Sequence, residues 1–240
     1  MFFCRKKTDL VLQRTKQGVF PALAGLLFFA LIVAWPASAE DSSLLQGELW
    51  TELEPVELGI PQAKPDTDKQ LRTILEEARH YFSGMIWGYT FSYVPYDKAR
   101  NIAEKFIITQ NYVMPWGAKG LSFTRGEIRN ALLFWILRYE PTLSERSRVD
   151  MWRKASVPVA GGIGKGPIDK GTDGKQTAFE QACKQAVRDY ARALTRNKPD
   201  EVRGTFALTQ LPGFRVVDGA YLADVRMRLH IEDIDAYRTY

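Results

Sequence analysis

From Phe179 to Leu194, apolar side chains recur three and four residues apart at Phe179, Ala182, Cys183, Ala186, Val187, Tyr190, Ala191 and Leu194. That spacing places them on one face of a helix. Asp173 with Gln176 three residues on supplies a capping box at the start, and Arg192, Arg196, Asn197, Lys198 and Pro199 supply stop signals at the end. The pattern predicts a helix over 174–197. A period of two governs the last run, where Tyr221, Ala223, Val225, Met227, Leu229 and Ile231 alternate with Leu222, Asp224, Arg226, Arg228, His230 and Glu232. Such one-sided alternation belongs to an antiparallel sheet with one covered and one wet face. Pro212-Gly213 and Asp218-Gly219 mark turns on the way into it.

Upstream, Leu71, Ile74, Leu75, Ala78, Tyr81 and Phe82 form the stripe of a helix over 67–83. An aromatic strand follows, with Trp87, Tyr89, Phe91 and Tyr93 on one face. Asp97 can cap a second helix reaching 108, with Ala99, Ile102, Ala103, Phe106 and Ile107 facing inward. The apolar run 130–139 fits a strand, and Val149, Met151, Ala155, Val157 and Val159 alternate as though in another. Residues 40–66 hold Pro55, Pro61 and Pro65 among several glutamates and predict an extended linker or arm. Taken together the predicted fold is α+β, a mostly antiparallel sheet with helices packed on one face, in a domain over 67–240. A helix, glycine, aromatic strand, proline order occurs at Ile86–Pro95 and again at Val202–Pro212. It suggests two related αβ halves, 67–128 and 129–240.

The amino terminus changes the charge picture. Arg5, Lys6, Lys7, Arg14 and Lys16 precede an apolar run from Val19 to Trp35, and Ala37-Ser38-Ala39 has the small-x-small form of an export cleavage site. Residues 1–39 read as a signal peptide, the alternative being an uncleaved membrane anchor. The whole chain has 33 basic and 28 acidic residues; without 1–39, which carry five basic residues and Asp9, the balance is 28 against 27. A near-neutral body gives no case for nucleic-acid binding. Cys4 leaves with the same segment, so Cys183 remains the one cysteine and no intramolecular disulfide can form.

Candidate chemistry is sparse. The glycine-rich stretch 161–174 between a strand and a helix has the setting of a phosphate cradle. Its details fail: Lys165 is followed by Gly166 and Lys175 by Gln176, where a P-loop needs Ser or Thr, and Pro167 stands where a dinucleotide fingerprint needs glycine. Those glycines are expected to serve a turn, bulge or flap. Trp87, Tyr89, Phe91 and Tyr93 are candidate ligand-binding residues, an aromatic face for stacking a sugar or peptide, with a place in the core as the competing reading. His80 and His230 are not paired by any motif, and no zinc spacing or nucleophile elbow occurs. Neither metal nor cofactor is predicted, and no catalytic set. Glu232, Asp233 and Asp235 lack calcium-loop spacing.

Gly162-x-Gly164-x-Gly166-Pro167, the helix with Ala178, Ala182, Ala186 and Ala191, and Gly219-Ala-Tyr-Leu-Ala-Asp-Val give residues 155–233 a resemblance to small exported bacterial envelope proteins. That group includes the Helicobacter-type outer-membrane lipoproteins and the amino-terminal part of a flagellar assembly protein. The lipidated cysteine of the former is missing here. The resemblance implies a noncatalytic structural or assembly role in the periplasm, at the cell surface or in the flagellum. Its partner would be another envelope or flagellar protein, or peptidoglycan, with no nucleic acid and no membrane contact beyond the signal segment. The alternatives are a glycan- or peptide-binding module and a hydrolase built on paired carboxylates.

Overall fold

In the computed structural model, residues 44–53 and 67–237 are described. The predicted signal segment 1–39 and residues 54–66 of the predicted arm lie outside them. The chain runs β1 (Leu45–Glu52), α1 (Thr67–Ile86), β2 (Tyr89–Val94), β3 (Lys105–Gln110), β4 (Leu121–Arg129) and β5 (Leu132–Tyr139). It continues through α2 (Leu143–Arg153), β6 (Val159–Pro167), a 3-10 turn (Ile168–Lys170), α3 (Gly171–Leu194), β7 (Glu201–Leu208), β8 (Gly213–Val217) and β9 (Ala220–Asp235).

Two antiparallel sheets result, a larger one in the order β3-β2-β7-β9-β6, with β8 also on β9, and a smaller one in the order β1-β5-β4. The fold is α+β, as its patterning predicts. β9 buries Tyr221, Ala223, Val225, Met227 and Leu229, and leaves Arg226 and His230 in water. Over the buried face lie α1 and α3, with the Tyr81 ring 5.4 Å and the Tyr89 ring 5.9 Å from that of Phe179. α1 also takes the smaller sheet, where Phe82 stacks on Tyr139 at 6.0 Å. A cut between 128 and 129 would fall inside β4, and both sheets draw strands from either side of it.

The glycine-rich stretch is not a loop: as far as Pro167 it is the strand β6, then the 3-10 turn and the first turn of α3, and the strand glycines let α3 come close. A Cβ on Gly162 would overlap the backbone of Ala182 and Ala186, one on Gly164 that of Ala178 and Ala182, and one on Gly166 that of Gly174 and Ala178. Two residues of strand advance about 6.7 Å and four residues of helix about 6 Å. The two columns therefore stay in step over three contacts, glycine at every second strand position against a small residue at every fourth helix position.

Three further expectations are corrected. Residues 97–108 are not a helix: Asp97 Oδ1 accepts from the Ala99 amide at 2.9 Å, but paired backbone bonds between Asp97 and Ile102 close a turn, and β3 follows. Phe106 and Ile108 face Tyr93 and Phe91 across the ladder, and the Ile107-Ile108-Thr109 run favours a strand. The alternation at 148–159 is likewise coincidental. Thr142 and Glu145 form a capping box and start α2, which lasts to Arg153. Finally, the predicted arm contributes β1, paired with β5 along its whole length and burying Leu45 and Leu49.

Candidate functional site

Of the aromatic row, Tyr89, Phe91 and Tyr93 are 4%, 2% and 3% exposed, so they belong to the core and cannot stack a ligand. Tyr89 packs on Phe206 at 5.0 Å, and Phe91 on Phe206 at 6.2 Å. Trp87, half-buried ahead of the strand, lies against Tyr112 at 4.5 Å. Among the other candidates, Cys183 is fully buried and burial pushes its thiol well up, which makes it inert. His80 Nδ1 lies 2.8 Å from Gln110 Oε1 on the helical side, whereas His230 sits on the wet face of β9. Arg203 binds Asp233 at 2.6 Å and Asp235 at 2.9 Å, so two of the acids at the end of β9 are held from within the sheet.

A buried ion pair lies where β1, α1 and α3 meet. Lys175 is 2% exposed and Glu77 8%, with Nζ and Oε1 3.6 Å apart. Lys175 also donates to the Trp50 carbonyl of β1 and stands 4.1 Å over the Trp50 ring. Neither Glu77 oxygen has a hydrogen-bond partner among the described residues. Burial pushes this carboxyl up, against the pull of Lys175. Nearby, Tyr221 donates to Glu52 Oε1 at 2.6 Å. Lys175, the lysine of a failed P-loop match, thus ties β1 to both helices in a place that no substrate reaches.

The open chemistry is at the other end of α3. Pro95 and Tyr96 after β2, Glu104 ahead of β3, the last turns of α3 and the segment Thr195–Pro199 enclose a groove of about 350 Å³. Thr195 ends the helix, its hydroxyl donating to Ala191 O at 3.0 Å, and Lys198 donates to Tyr96 O at 3.0 Å. Among the described residues, Arg188, Arg192, Arg196 and Lys198 line the groove against a single acid, Glu104. That carboxylate is already held, by Lys184 Nζ at 2.9 Å and the Tyr93 hydroxyl at 2.9 Å. Burial alone would raise the Glu104 carboxyl, but the bonds from Lys184 and Tyr93 and the Arg188 charge outweigh it and hold it below the ordinary range. A second depression shares Thr195–Pro199 and adds Asp97, Arg100 and Tyr237. There Arg100 binds Asp97 at 2.7 Å and lies 3.6 Å over the Tyr237 ring. In sequence, Arg192, Arg196 and Lys198 are helix stop signals, and Arg188 carries no signal; only the fold brings them to Tyr93, Tyr96 and Glu104.

Fold and groove define a two-sheet α+β domain with a basic cleft and, among the described residues, no acid, histidine and cysteine group able to hold a metal. A protein-family model matches residues 33–237, and the chain belongs to that family. It is similar to a protein of Treponema pallidum (strain Nichols) described as an uncharacterized protein, 26% identical over 196 residues, which are 80% of this chain and 81% of the relative. No solved structure matches the chain. Nothing in these comparisons points to catalysis.

Proposed function

We propose that the protein is an exported, noncatalytic interaction factor of the cell envelope, holding another envelope or flagellar protein, or peptidoglycan, rather than transforming a substrate. One observation carries this reading: among the described residues the groups able to do chemistry are sealed or paired, while the open groove offers cations and the exposed Tyr96 ring with no free reacting group. Lys175 and Glu77 are enclosed and Cys183 is buried. The two carboxyls beside the groove, Glu104 and Asp97, are both held below the ordinary range by the cations bonded to them. A hydrolase of the two-carboxylate kind needs one carboxyl raised so that it can donate a proton near neutrality, and these two move the other way. The basic and apolar amino terminus with Ala37-Ser38-Ala39 supports export, and the resemblance of 155–233 to exported envelope proteins supports the location. Among the described residues no helix is long and apolar enough to cross a membrane.

Crosslinking in intact cells that make a tagged copy, followed by capture under denaturing conditions, tests the reading. Recovery of an envelope component and a mature chain beginning at Glu40 are expected. Recovery of cytoplasmic proteins alone, or a chain that keeps Met1 in the soluble fraction, would sink it.

A further inference from the structure

Without residues 1–39 the chain carries 28 basic and 27 acidic residues, yet four cations and one acid line the groove at the end of α3, and that acid is taken by Lys184 and Tyr93. The excess is local. Among the described residues Asp189 is the one carboxylate bonded to Arg188 and Arg192, at 3.4 and 3.8 Å, and it is shared between them at the solvent side. We propose that the groove binds an acidic peptide segment in extended form, a proposal that rests on the reading of the protein as an interaction factor and names what it holds.

Glu104 shows how the site takes a carboxylate. It reaches Lys184, the first of three cations spaced four apart on α3, followed by Arg188 and Arg192. Such positions repeat about every 6 Å along a helix, and alternate residues of an extended chain repeat about every 6.7 Å. Acids on alternate residues of a bound segment therefore fall in step with Arg188 and Arg192, beyond the place that Glu104 occupies, and Arg196 and Lys198 close the rim. Between them, Tyr96, 55% exposed, and the half-buried Pro95 offer ring surface to the intervening apolar side chains. The groove shares Thr195–Pro199 with the next depression, which suits a chain running on better than a compact anion. Planar guanidinium groups fit carboxylates in pairs, which gives the site its preference for this chemistry.

The test uses protein purified after expression of the full chain and fluorescence anisotropy with a dye-labelled peptide of alternating glutamate and alanine. Binding should weaken severalfold as salt rises from about 50 to 300 mM. Arg192→Glu with Arg196→Glu should weaken it tenfold or more, and Arg125→Glu with Arg129→Glu on the remote strand β4 should leave it unchanged. The groove variant should also gain binding to a lysine and alanine peptide, a result that a misfolded protein would not give. Equal binding by the groove variant and the wild type overturns the proposal. So does full competition by inorganic phosphate at the peptide's own concentration, or tighter binding of an oligothymidylate than of the peptide. If wild type and groove variant crosslink the same envelope component in cells, the acidic-peptide site is wrong while the interaction reading stands.

Discussion

Removing Lys175 alone leaves Glu77 enclosed with no hydrogen-bond partner for either oxygen, which makes Lys175→Met the most informative single change in the core. The stranded carboxylate escapes by taking up a proton. From its ordinary value of 4.5 to pH 7 that costs about 1.4 kcal/mol per unit, or roughly 3 kcal/mol in all. Loss of the ammonium bond to the Trp50 carbonyl and of the contact with its ring adds about 2 kcal/mol that does not depend on pH. The sign follows from proton binding. A folded-state carboxyl raised above its unfolded value holds its proton to higher pH than the unfolded chain does, so stability is lost as pH rises and regained as it falls towards 4.5. Lys175→Met should therefore cost at most about 5 kcal/mol at pH 7 and about 2 kcal/mol less at pH 5, the upper limit because the wild-type Glu77 carboxyl is itself raised by burial and already bears part of the protonation cost. Lys175→Met with Glu77→Leu should recover most of the loss and show no such slope, because two apolar residues replace a buried pair at little net cost. Urea denaturation at both pH values, followed by tryptophan fluorescence, measures it. A Lys175→Met penalty that is the same at pH 5 and pH 7 would refute the reasoning, since it would mean that Glu77 already holds a proton beside Lys175.

Other changes separate the roles of neighbouring positions. Gly164→Ala should destabilise at the upper end of the about 1–3 kcal/mol range for overpacking, because the added carbon meets helix backbone that no rotamer change can move, whereas Gly161→Ala, whose nearest atom would be 3.4 Å away, should fall within about 0.5 kcal/mol of wild type in the same melts. Ala131 holds a φ of 61° in the β4–β5 turn beside Asn130, so Ala131→Gly should stabilise by about 0.5–1 kcal/mol in thermal melts. In a Cys4→Ser background the Cys183 thiol should stay unreactive to a thiol reagent in the native protein and react at once in urea; native labelling would show that the α3 face opens.

What could be read from the sequence follows the strength of local pattern. α3 and β9 carry eight and six apolar positions in period, and both elements form where expected, although α3 starts at Gly171 and stops at Leu194, with Thr195 rather than Asn197 ending it. The turn at Asp218-Gly219 holds, both residues having positive φ. Short runs were ambiguous. Ile102, Phe106 and Ile107 fit a helical stripe as well as Phe106 and Ile108 fit a strand face, and only pairing with β2 chooses. Val149 and Met151 suggested a strand, yet Thr142 and Glu145 hold the stronger signal, a capping box that the strand reading passed over. β1 was hidden because its partner, β5, lies some ninety residues on, and no local pattern reveals such pairing.

The groove was out of reach for the same reason, and the glycine motif explains why it exists. β6 brings α3 to backbone distance as far as Ala186, where the column of glycines facing Ala178, Ala182 and Ala186 ends. Beyond that point the helix has no such column to press against, and its last turns stand instead beside Pro95, Tyr96 and the ring of Tyr93 from the β2 side of the sheet. One helix is thus gripped over its first two thirds and free to present side chains over its last third. The positive charges there match the negative end of the helix dipole, which is sufficient reason for one or two of them. Four, with the one acid among them already satisfied, exceed what capping requires. That surplus, and not the glycine signature that first draws the eye, is where this fold has room for a partner.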